Sequence, residues 1–318
     1  MRYKILLLGL LIGVARIAAH AQEAYKNEFG FQSDNDAYLF YGQDRYYTNG
    51  LMLYFRRATP LKKNRQQLEK FTYEITAGQK MYNPYSGYAP RIERHDRPFA
   101  GYLYAGLKTG FFYKNESVLK TGLSFGTVGP DALGEDAQQL LHKTVGFYPV
   151  EGWEYQIGNA LTANLEVEFL KRLFRDANAR TDLALESYLN AGTAFNNAGL
   201  GIVLRTGRLH RYTQSNYTHS LVSNGGATTL PAKSESYFYI KPQFNVVAYD
   251  ITVAGSLFND NSPVTFKTKP FVFSQQFGYT YSSKRFTFDF NILFKTKEIK
   301  SSAKAHQYGS ISMYYRFN

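Results

Sequence analysis

Three polar clusters hold the residues of this chain whose types and spacing suit chemistry. The first cluster is Asp34-Asn35-Asp36, which is followed by a polar run over residues 44–50. Adjacent carboxylate and amide oxygens are the ligands that a hard cation such as calcium prefers. The spacing lacks the regular pattern of an EF-hand loop, so the metal interpretation competes with an Asx-turn at a strand end. The residues alone leave both interpretations open.

The second and third clusters supply arginines and a histidine. The guanidinium groups of Arg91, Arg94 and Arg97 suit phosphate binding, although the Asp-Arg-Pro sequence there could equally serve to fix a turn. Residues 135–143 predict a short helix on which Gln138 and His142, four positions apart, share one face. A histidine so placed could act as a general base, although a lone histidine is more often structural.

Several catalytic classes are excluded by what the sequence lacks. It has no cysteine, which rules out disulfides, thiolate metal sites and cysteine nucleophiles. It also has no G-x-S-x-G elbow, phosphate-binding loop or H-E-x-x-H motif. His142 is followed by Lys143 and Thr144 rather than by a nearby serine. The chemistry left open is hydrolysis by a water molecule that a histidine and a metal activate.

The elements that must position these clusters are strands of alternating polarity. In the clearest one, from Arg285 to Lys295, every second residue is apolar up to Phe294 and the intervening residues are mostly polar. This pattern is typical of a barrel strand with one face on lipid and one face on water. The pattern predicts about twelve strands, near residues 25–34, 47–58, 69–80, 99–113, 116–128, 159–173, 181–190, 197–207, 235–248, 270–281, 285–297 and 307–317.

The fold prediction is therefore an all-β transmembrane antiparallel barrel with a short helix in an extracellular loop. No stretch after residue 21 approaches the 18 apolar residues of a membrane helix, and an even strand number is usual for outer-membrane barrels. With a periplasmic N-terminus, the short links fall inside the cell envelope and the long loops fall outside. Residues 208–234 break this rule as a long periplasmic loop without explanation. Strand parity predicts that Thr48 faces the lumen.

Residues 1–21 resemble a cleaved secretory signal, which leaves residues 22–318 as one barrel domain. Arg2 and Lys4 precede an apolar core, and Ala19-His20-Ala21 suits a cleavage site. Removal of the three basic residues of this segment would lower the net charge from +12 to +9. An exported protein of this charge is expected to meet anionic lipid rather than nucleic acid.

Taken together, the clusters resemble the LpxR-type lipid A 3′-O-deacylases of Gram-negative outer membranes. Order and approximate spacing are kept across most of the mature chain. The resemblance lies in Asn35-Asp36, residues 44–50, residues 96–101, residues 129–132, Gln138, His142 and Gly152-Trp153.

This resemblance implies a twelve-stranded barrel enzyme, expected as a monomer, that uses Ca²⁺ to hydrolyse the acyl ester at the lipid A 3′ position beside the outer leaflet. His142 would activate water, and Asp36 would hold the metal with Asn35 beside it. Thr48 and Gln138 would orient the water or bind the oxyanion.

Two other functions remain open at this stage. An outer-membrane phospholipase would share the architecture but would need a serine close after His142. A porin-like or adhesin-like barrel would carry the same loops without catalysis.

Overall fold

The computed structural model describes residues 24–39, 44–61, 67–224 and 234–318, and the predicted signal segment lies outside them. Twelve antiparallel strands form a closed barrel in which each strand pairs with its sequence neighbours and the last pairs with the first. This architecture confirms the predicted fold class. The strands are β1 (Asn27–Asn35), β2 (Tyr46–Thr59), β3 (Leu68–Asn83), β4 (Ala100–Tyr113), β5 (Ser117–Val128), β6 (Ala160–Arg175), β7 (Thr181–Gly192), β8 (Phe195–Arg208), β9 (Glu235–Asp250), β10 (Phe271–Ser282), β11 (Phe286–Lys295) and β12 (His306–Phe317).

Side-chain alternation explains why these segments form a barrel rather than a sandwich. In β11, Phe286 and Phe288 are exposed on the outer wall, whereas Thr287, Asp289 and Asn291 are buried toward the lumen. A sandwich would bury the apolar face, but here that face is the exposed one. The outer wall is therefore built to contact hydrocarbon. Within the described residues, no helix is long and apolar enough to cross a membrane.

The lumen is lined by ion pairs between strands. Arg56 forms salt bridges with Glu28, at 2.9 Å, and with Glu74. Lys108 similarly lies between Glu166 and Glu168, at 3.0 and 2.7 Å. The charges of Arg56 and Glu28 are buried and must be paired to be tolerated, and the pairs link β2 to β1 and β3, and β4 to β6.

The unexplained segment after β8 folds back into the barrel. Residues 209–224, which we call the inner plug, contain two short 3₁₀ turns, and most of their side chains are buried. The ammonium group of Lys70 on β3 donates to the carbonyl oxygens of Thr213, at 2.9 Å, and Ser220. Tyr217 donates to Glu186 on β7 at 2.7 Å. The plug thus contacts strands on different sides of the barrel and occupies the lumen at the end where both termini lie.

The other end of the barrel carries the functional candidates. Its loops include helix α1 (Gly134–Val145) and the short helical turn α2 (Ile251–Ala254). Helix α1 begins one residue before and ends two residues after the predicted bounds of 135–143. The three polar clusters of the sequence lie at this end, and the plug lies at the other end of the barrel.

Candidate active site

Helix α1 lies against the outer wall of the barrel, over the loop-end halves of β3 and β4. Gln79, which has the same parity as the exposed Ile75, donates to the carbonyl oxygens of Ala132 and Leu133 at 2.7 and 3.0 Å. The candidate site is therefore outside the lumen, where lipid would contact the wall.

Two glycines allow the helix to approach the wall closely. A Cβ atom on Gly101 would lie 3.0 Å from the backbone nitrogen of Gly134. A Cβ atom on Gly134 would in turn lie 2.7 Å from the indole ring of Trp153. Beneath the helix, Met81, Phe99 and Trp153 form a small buried apolar cluster. Packing of this kind fixes the helix in place and with it the direction of its side chains.

The inner face of α1 carries the two predicted site residues. Gln138 and His142 are buried, at 1% and 3% exposure, so the prediction that they share a face is confirmed. Glu135 and Asp136 lie in the first turn and Lys143 in the last, which suits the helix dipole. The helix ends at Gly146, whose φ of +78° turns the chain back toward His142.

The centre of the site is a contact between His142, Asp44 and Tyr148. The Nδ1 atom of His142 lies 2.7 Å from the carbonyl oxygen of Tyr148, and Nε2 lies 3.0 Å from Oδ2 of Asp44. The Tyr148 hydroxyl donates to the same Asp44 oxygen at 2.6 Å. A backbone carbonyl can only accept, so Nδ1 carries a proton and donates it to Tyr148. Nε2 lies within ion-pair distance of Asp44 but is not aligned for a hydrogen bond, so it has no hydrogen-bond partner among the described residues.

Thr48 corrects the sequence prediction of a lumen-facing side chain. A β-bulge between Tyr47 and Asn49 shifts the register of β2 against β3, so parity does not carry through this point. Tyr47 faces the lumen, where it donates to Asp34 at 2.7 Å. The Thr48 hydroxyl instead lies 3.1 Å from Oδ1 of Asp44 and 3.3 Å from Oδ1 of Asp36. The bulge thus brings Thr48 into the outer-wall site.

Asp36 is a buried carboxylate beside a second carboxylate. Burial raises its pKa to about 8, and the charge of Asp44 adds to this effect. Its Oδ2 accepts the backbone N–H of Arg45 at 2.8 Å. A single Thr48 proton must serve both Asp36 and Asp44. Among the described residues, no lysine or arginine forms an ion pair with either acid, so negative charge here is under-compensated.

Asn35 adopts the local turn that the sequence left open. Its Oδ1 accepts the backbone N–H of Ala37 at 2.6 Å, which is an Asx-turn at the end of β1. The turn directs the chain into the 3₁₀ segment Asp36–Leu39, which packs against β12. Asn35 therefore shapes the backbone that presents Asp36.

Unpartnered polar atoms surround this pair of acids. The Oε1 atom of Gln138 accepts the indole N–H of Trp153 at 2.9 Å, but its Nε2 has no partner in the structure. Neither amide atom of the fully buried Asn83 has one. Both side chains lie beside Gly87, as does the Tyr148 hydroxyl. Buried groups of this kind are rare unless they wait for a ligand or water.

The three predicted phosphate-binding arginines separate into two groups. Arg91 and Arg94 are exposed near the short 3₁₀ turn Ile92–Arg94. Arg97 is buried, with its guanidinium 4.2 Å from the Tyr82 ring centroid and 2.9 Å from the Thr252 hydroxyl. Arg97 therefore stabilises the barrel mouth from within, which corrects its prediction as a head-group ligand. Arg91 and Arg94 remain the available pair.

The donor set at this site fits a calcium-type cation in kind. Carboxylates of Asp36 and Asp44, the Thr48 hydroxyl and nearby carbonyl groups are all hard oxygen donors. Burial without a counter-charge, seen in the raised pKa of Asp36, is the environment that a cation would relieve. In the described part of the chain, no three acidic or histidine side chains already converge as a metal cage. Further ligands would have to be backbone carbonyls or water.

Three contributors escaped the sequence prediction. Asp44 stood within a recognised cluster but had no assigned role, and Tyr148 and Asn83 were not singled out. Tyr148 reaches the site only because the turn at Gly146 returns the chain. Asn83 precedes Pro84, a signal that indicates a turn and says nothing of chemistry.

Comparison with known proteins identifies relatives of the fold. The family model described as "Outer membrane protein LpxR" matches residues 6–317. LpxR from Salmonella typhimurium superposes with a TM-score of 0.74 at 19% identity, over 91% of this chain and 100% of that chain. The β domain of the Bordetella autotransporter BrkA gives a TM-score of 0.50 at 10% identity, over 93% and 100% of the two chains. No curated protein sequence matches. At these identities the structural likeness shows the fold alone.

Proposed function

The chain belongs to the LpxR family of outer-membrane proteins, as its motifs predicted, and from this premise we propose that it hydrolyses the 3′-O-linked acyl ester of lipid A. The observation that carries the proposal is the His142 ring, buried on the outer wall with Nδ1 bound to a carbonyl and Nε2 beside Asp44 without an aligned hydrogen bond. A base in that position meets a lipid ester from the side of the membrane. A lumen site would meet only solutes.

In the proposed reaction, Nε2 of His142 removes a proton from the attacking water. The imidazolium that forms is stabilised by Asp44, whose Oδ2 lies 3.0 Å away. The carbonyl oxygen of Tyr148 keeps the other ring nitrogen protonated and so fixes the tautomer. His142 later returns the proton to the leaving sugar oxygen, which completes hydrolysis.

Donors for the developing oxyanion would come from α1 and β2. The free Nε2 of Gln138 is a buried amide donor held in place through the Trp153 bond to Oε1. Such a pre-oriented donor stabilises a tetrahedral intermediate without reorganisation. The Thr48 hydroxyl is the second polar group beside the acids and would help to orient the water.

We propose Asp36, with Asp44 and Thr48, as residues that would hold Ca²⁺. A bound Ca²⁺ would polarise the ester carbonyl and stabilise negative charge. Arg91 and Arg94, exposed near the same wall, would bind the lipid A phosphates. The exposed Leu140 and Phe147 flank the site and would contact the acyl chains.

Mass spectrometry of lipid A incubated with the detergent-purified protein tests this function. We expect loss of the 3′ acyl chain with calcium, no loss with a chelator, and a rate about 10³-fold lower for His142→Ala. Lys143→Ala, which changes the exposed neighbour of His142, is the matched control and should retain the rate.

The other results identify the alternatives. Intact lipid A together with phospholipid breakdown would favour a phospholipase. If a folded barrel changes neither lipid, catalysis is excluded and a passive barrel remains. Heat-modifiable migration on a gel would establish that each variant is folded.

A further inference from the structure

A cavity separate from the candidate active site lies at the loop end of β9, on the side of the barrel opposite β3. It has a volume of about 740 Å³ and is bounded by the end of β9 and by the loop that returns to β10. In the ring of twelve strands, β9 is six strands from β3 in either direction. Its lining combines apolar Val247, Phe266 and Pro270 with two lysines, Lys267 and Lys300. The cavity is thus separate from the His142 site.

The two lysines are positioned by backbone structure before any ligand is present. The backbone N–H of Lys300 donates to the carbonyl oxygen of Lys267 at 2.8 Å, and Thr268 and Ile299 form an antiparallel bridge. The backbone N–H of Phe266 donates to the carbonyl oxygen of Val253 at 2.8 Å, and the Phe266 ring packs against a buried cluster. The loops that carry these lysines are therefore held against each other and against the barrel.

Lysines outnumber acidic residues in the two loops of this region, so its positive charge is only partly compensated. Lys267 and Lys300 are exposed, and neither forms an ion pair with the described residues. The same two loops also carry Lys269, Lys297 and Lys304. The loops carry two acidic residues, Asp260 and Glu298, and Glu298 is already bound to Lys295 at 2.9 Å. An anionic ligand would meet an attractive field here.

An apolar stripe runs down the outer wall from the cavity. Val246 and Phe271 are paired across β9 and β10 and are 52% and 74% exposed. The next pair along the same face is Phe244 and Phe273. Lysines above an exposed aromatic stripe match an amphiphile with an anionic head and several acyl chains. A soluble anion has no apolar part that could contact these exposed side chains.

We propose that this cavity is a second, non-catalytic binding site for lipid A, with a phosphate at Lys267 and Lys300 and acyl chains along the Val246–Phe271 stripe. The lipid bound there is a resident of the outer leaflet and is not cleaved, because His142 lies on the other wall. The proposal stands whether or not the protein is a deacylase.

Native mass spectrometry of the full chain in detergent micelles tests the second site. All proteins carry His142→Ala so that turnover cannot remove the ligand, and the probe is bisphosphorylated lipid A. We expect Lys267→Gln/Lys300→Gln to lose one equivalent of bound lipid, or to weaken that equivalent at least about tenfold. The criterion is one fewer bound lipid A molecule per protein than in the parent, whatever total number the parent binds.

Matched variants make the test specific. Lys114→Gln/Lys284→Gln removes the same charge from exposed positions at the termini end and should bind as the parent does. Lys267→Arg/Lys300→Arg should retain binding, which separates charge recognition from misfolding. With His142 intact, Lys267→Gln/Lys300→Gln should still deacylate lipid A if the proposed function is correct.

Three results would overturn the second site. The first is an unchanged equivalent in Lys267→Gln/Lys300→Gln, and the second is equal binding of dephosphorylated lipid A. The third is equal displacement by phosphatidylglycerol, which would show a general anionic-lipid surface. Failure of deacylation with the lysine-dependent equivalent intact would reject only the proposed function.

Discussion

The outer-wall site and the inner plug both bury acidic residues, but they differ in the charges around them. At the plug, Arg205 binds Asp182 through two nitrogens at 2.7 and 2.9 Å and lies 3.5 Å from Glu235. All three side chains are fully buried. At the outer-wall site, Asp36 and Asp44 share a hydroxyl and have His142 as their one basic neighbour among the described residues.

This difference distinguishes a cluster that stabilises the fold from a cluster that is ready to bind a ligand. The plug network satisfies its acids with guanidinium groups and with N–H and O–H donors from Ser215 and Asn216. Its charges therefore contribute to holding one conformation. The outer-wall cluster leaves a carboxyl group, an imidazole nitrogen and several amide atoms without full partners. A protein retains such costly groups where a ligand completes them.

The largest expected effect comes from breaking the paired cluster. Arg205→Ala leaves Glu235 buried without a cationic partner and leaves Asp182 with Arg175 as its remaining guanidinium partner, which should cost about 3–5 kcal/mol of unfolding free energy. Urea unfolding of the barrel in detergent measures this loss. Deacylation per folded molecule should be unchanged, because the plug lies at the other end of the lumen.

Arg208→Ala is the matched control for Arg205→Ala. Arg208 is exposed and donates to the Ser234 hydroxyl at 2.7 Å. Its loss should cost under about 1 kcal/mol. Equal destabilisation by the two variants would contradict the view that the plug network holds the fold.

The second prediction has the opposite sign and concerns the unpaired acid. The pKa of Asp36 is raised to about 8, so the folded state favours the neutral carboxyl and loses stability as the pH rises from about 4 to about 8. Asp36→Asn removes this loss. In a chelator at about pH 8.5, the variant should be more stable than the parent by about 1–3 kcal/mol.

Calcium should reverse the order of these two proteins. The parent should gain stability on calcium addition through its Asp36 carboxylate, and Asp36→Asn should gain much less. Thermal unfolding with and without calcium measures both effects. A variant that is less stable than the parent in the chelator would show that Asp36 is already satisfied without a cation.

Tyr148→Phe tests the hydrogen bond that links the turn after α1 to Asp44. Burial and the Asp44 contact raise the pKa of the Tyr148 phenol, which keeps the donor protonated. Loss of this donor should lower kcat about tenfold through misplacement of Asp44, with little change in KM. Tyr88→Phe, at an exposed position, is the control. Equal rates for Tyr148→Phe and the parent would remove Tyr148 from the site.

The sequence predicted the barrel well because lipid and water impose strict alternation on each strand. The twelve strands and the shared face of Gln138 and His142 follow from periods of two and 3.6 residues. The prediction for Thr48 failed because one inserted residue reverses the strand parity. Nothing in the neighbouring sequence indicates this bulge.

The inner plug shows a different limit of sequence reasoning. Its composition of serine, threonine and asparagine is that of a solvated loop, yet Ser215, Ser220 and Ser223 are fully buried. The hydroxyls of Ser215 and Ser220 satisfy a carboxylate and backbone groups inside the lumen. A polar segment can be buried inside a polar lumen, so its hydropathy does not distinguish a buried plug from a solvent-exposed loop. Residues 225–233 of the predicted long loop lie outside the described part.

The smallest expected effect concerns Asn83, which is buried without a hydrogen bond. Asn164 offers a matched comparison, since its buried amide donates to the Phe195 carbonyl at 2.8 Å and accepts the N–H of Ala194 at 2.8 Å. Asn164→Ala leaves those groups unpaired and should cost about 1–3 kcal/mol. Asn83→Ala breaks no bond and should cost under about 1 kcal/mol in urea unfolding.

The deacylation rate of Asn83→Ala tests whether the Asn83 amide has a role in the reaction. If its amide waits for the ordered water or the substrate beside Gln138 and Tyr148, Asn83→Ala should slow deacylation a few-fold while the fold is kept. Asn164→Ala should show the reverse, a weaker barrel with a normal rate per folded molecule. If both variants lose stability alike and leave the rate unchanged, Asn83 is merely a structural residue. The difference between hydrogen-bonded and unpartnered buried groups would then hold for the acidic residues of the two regions but not for their amides.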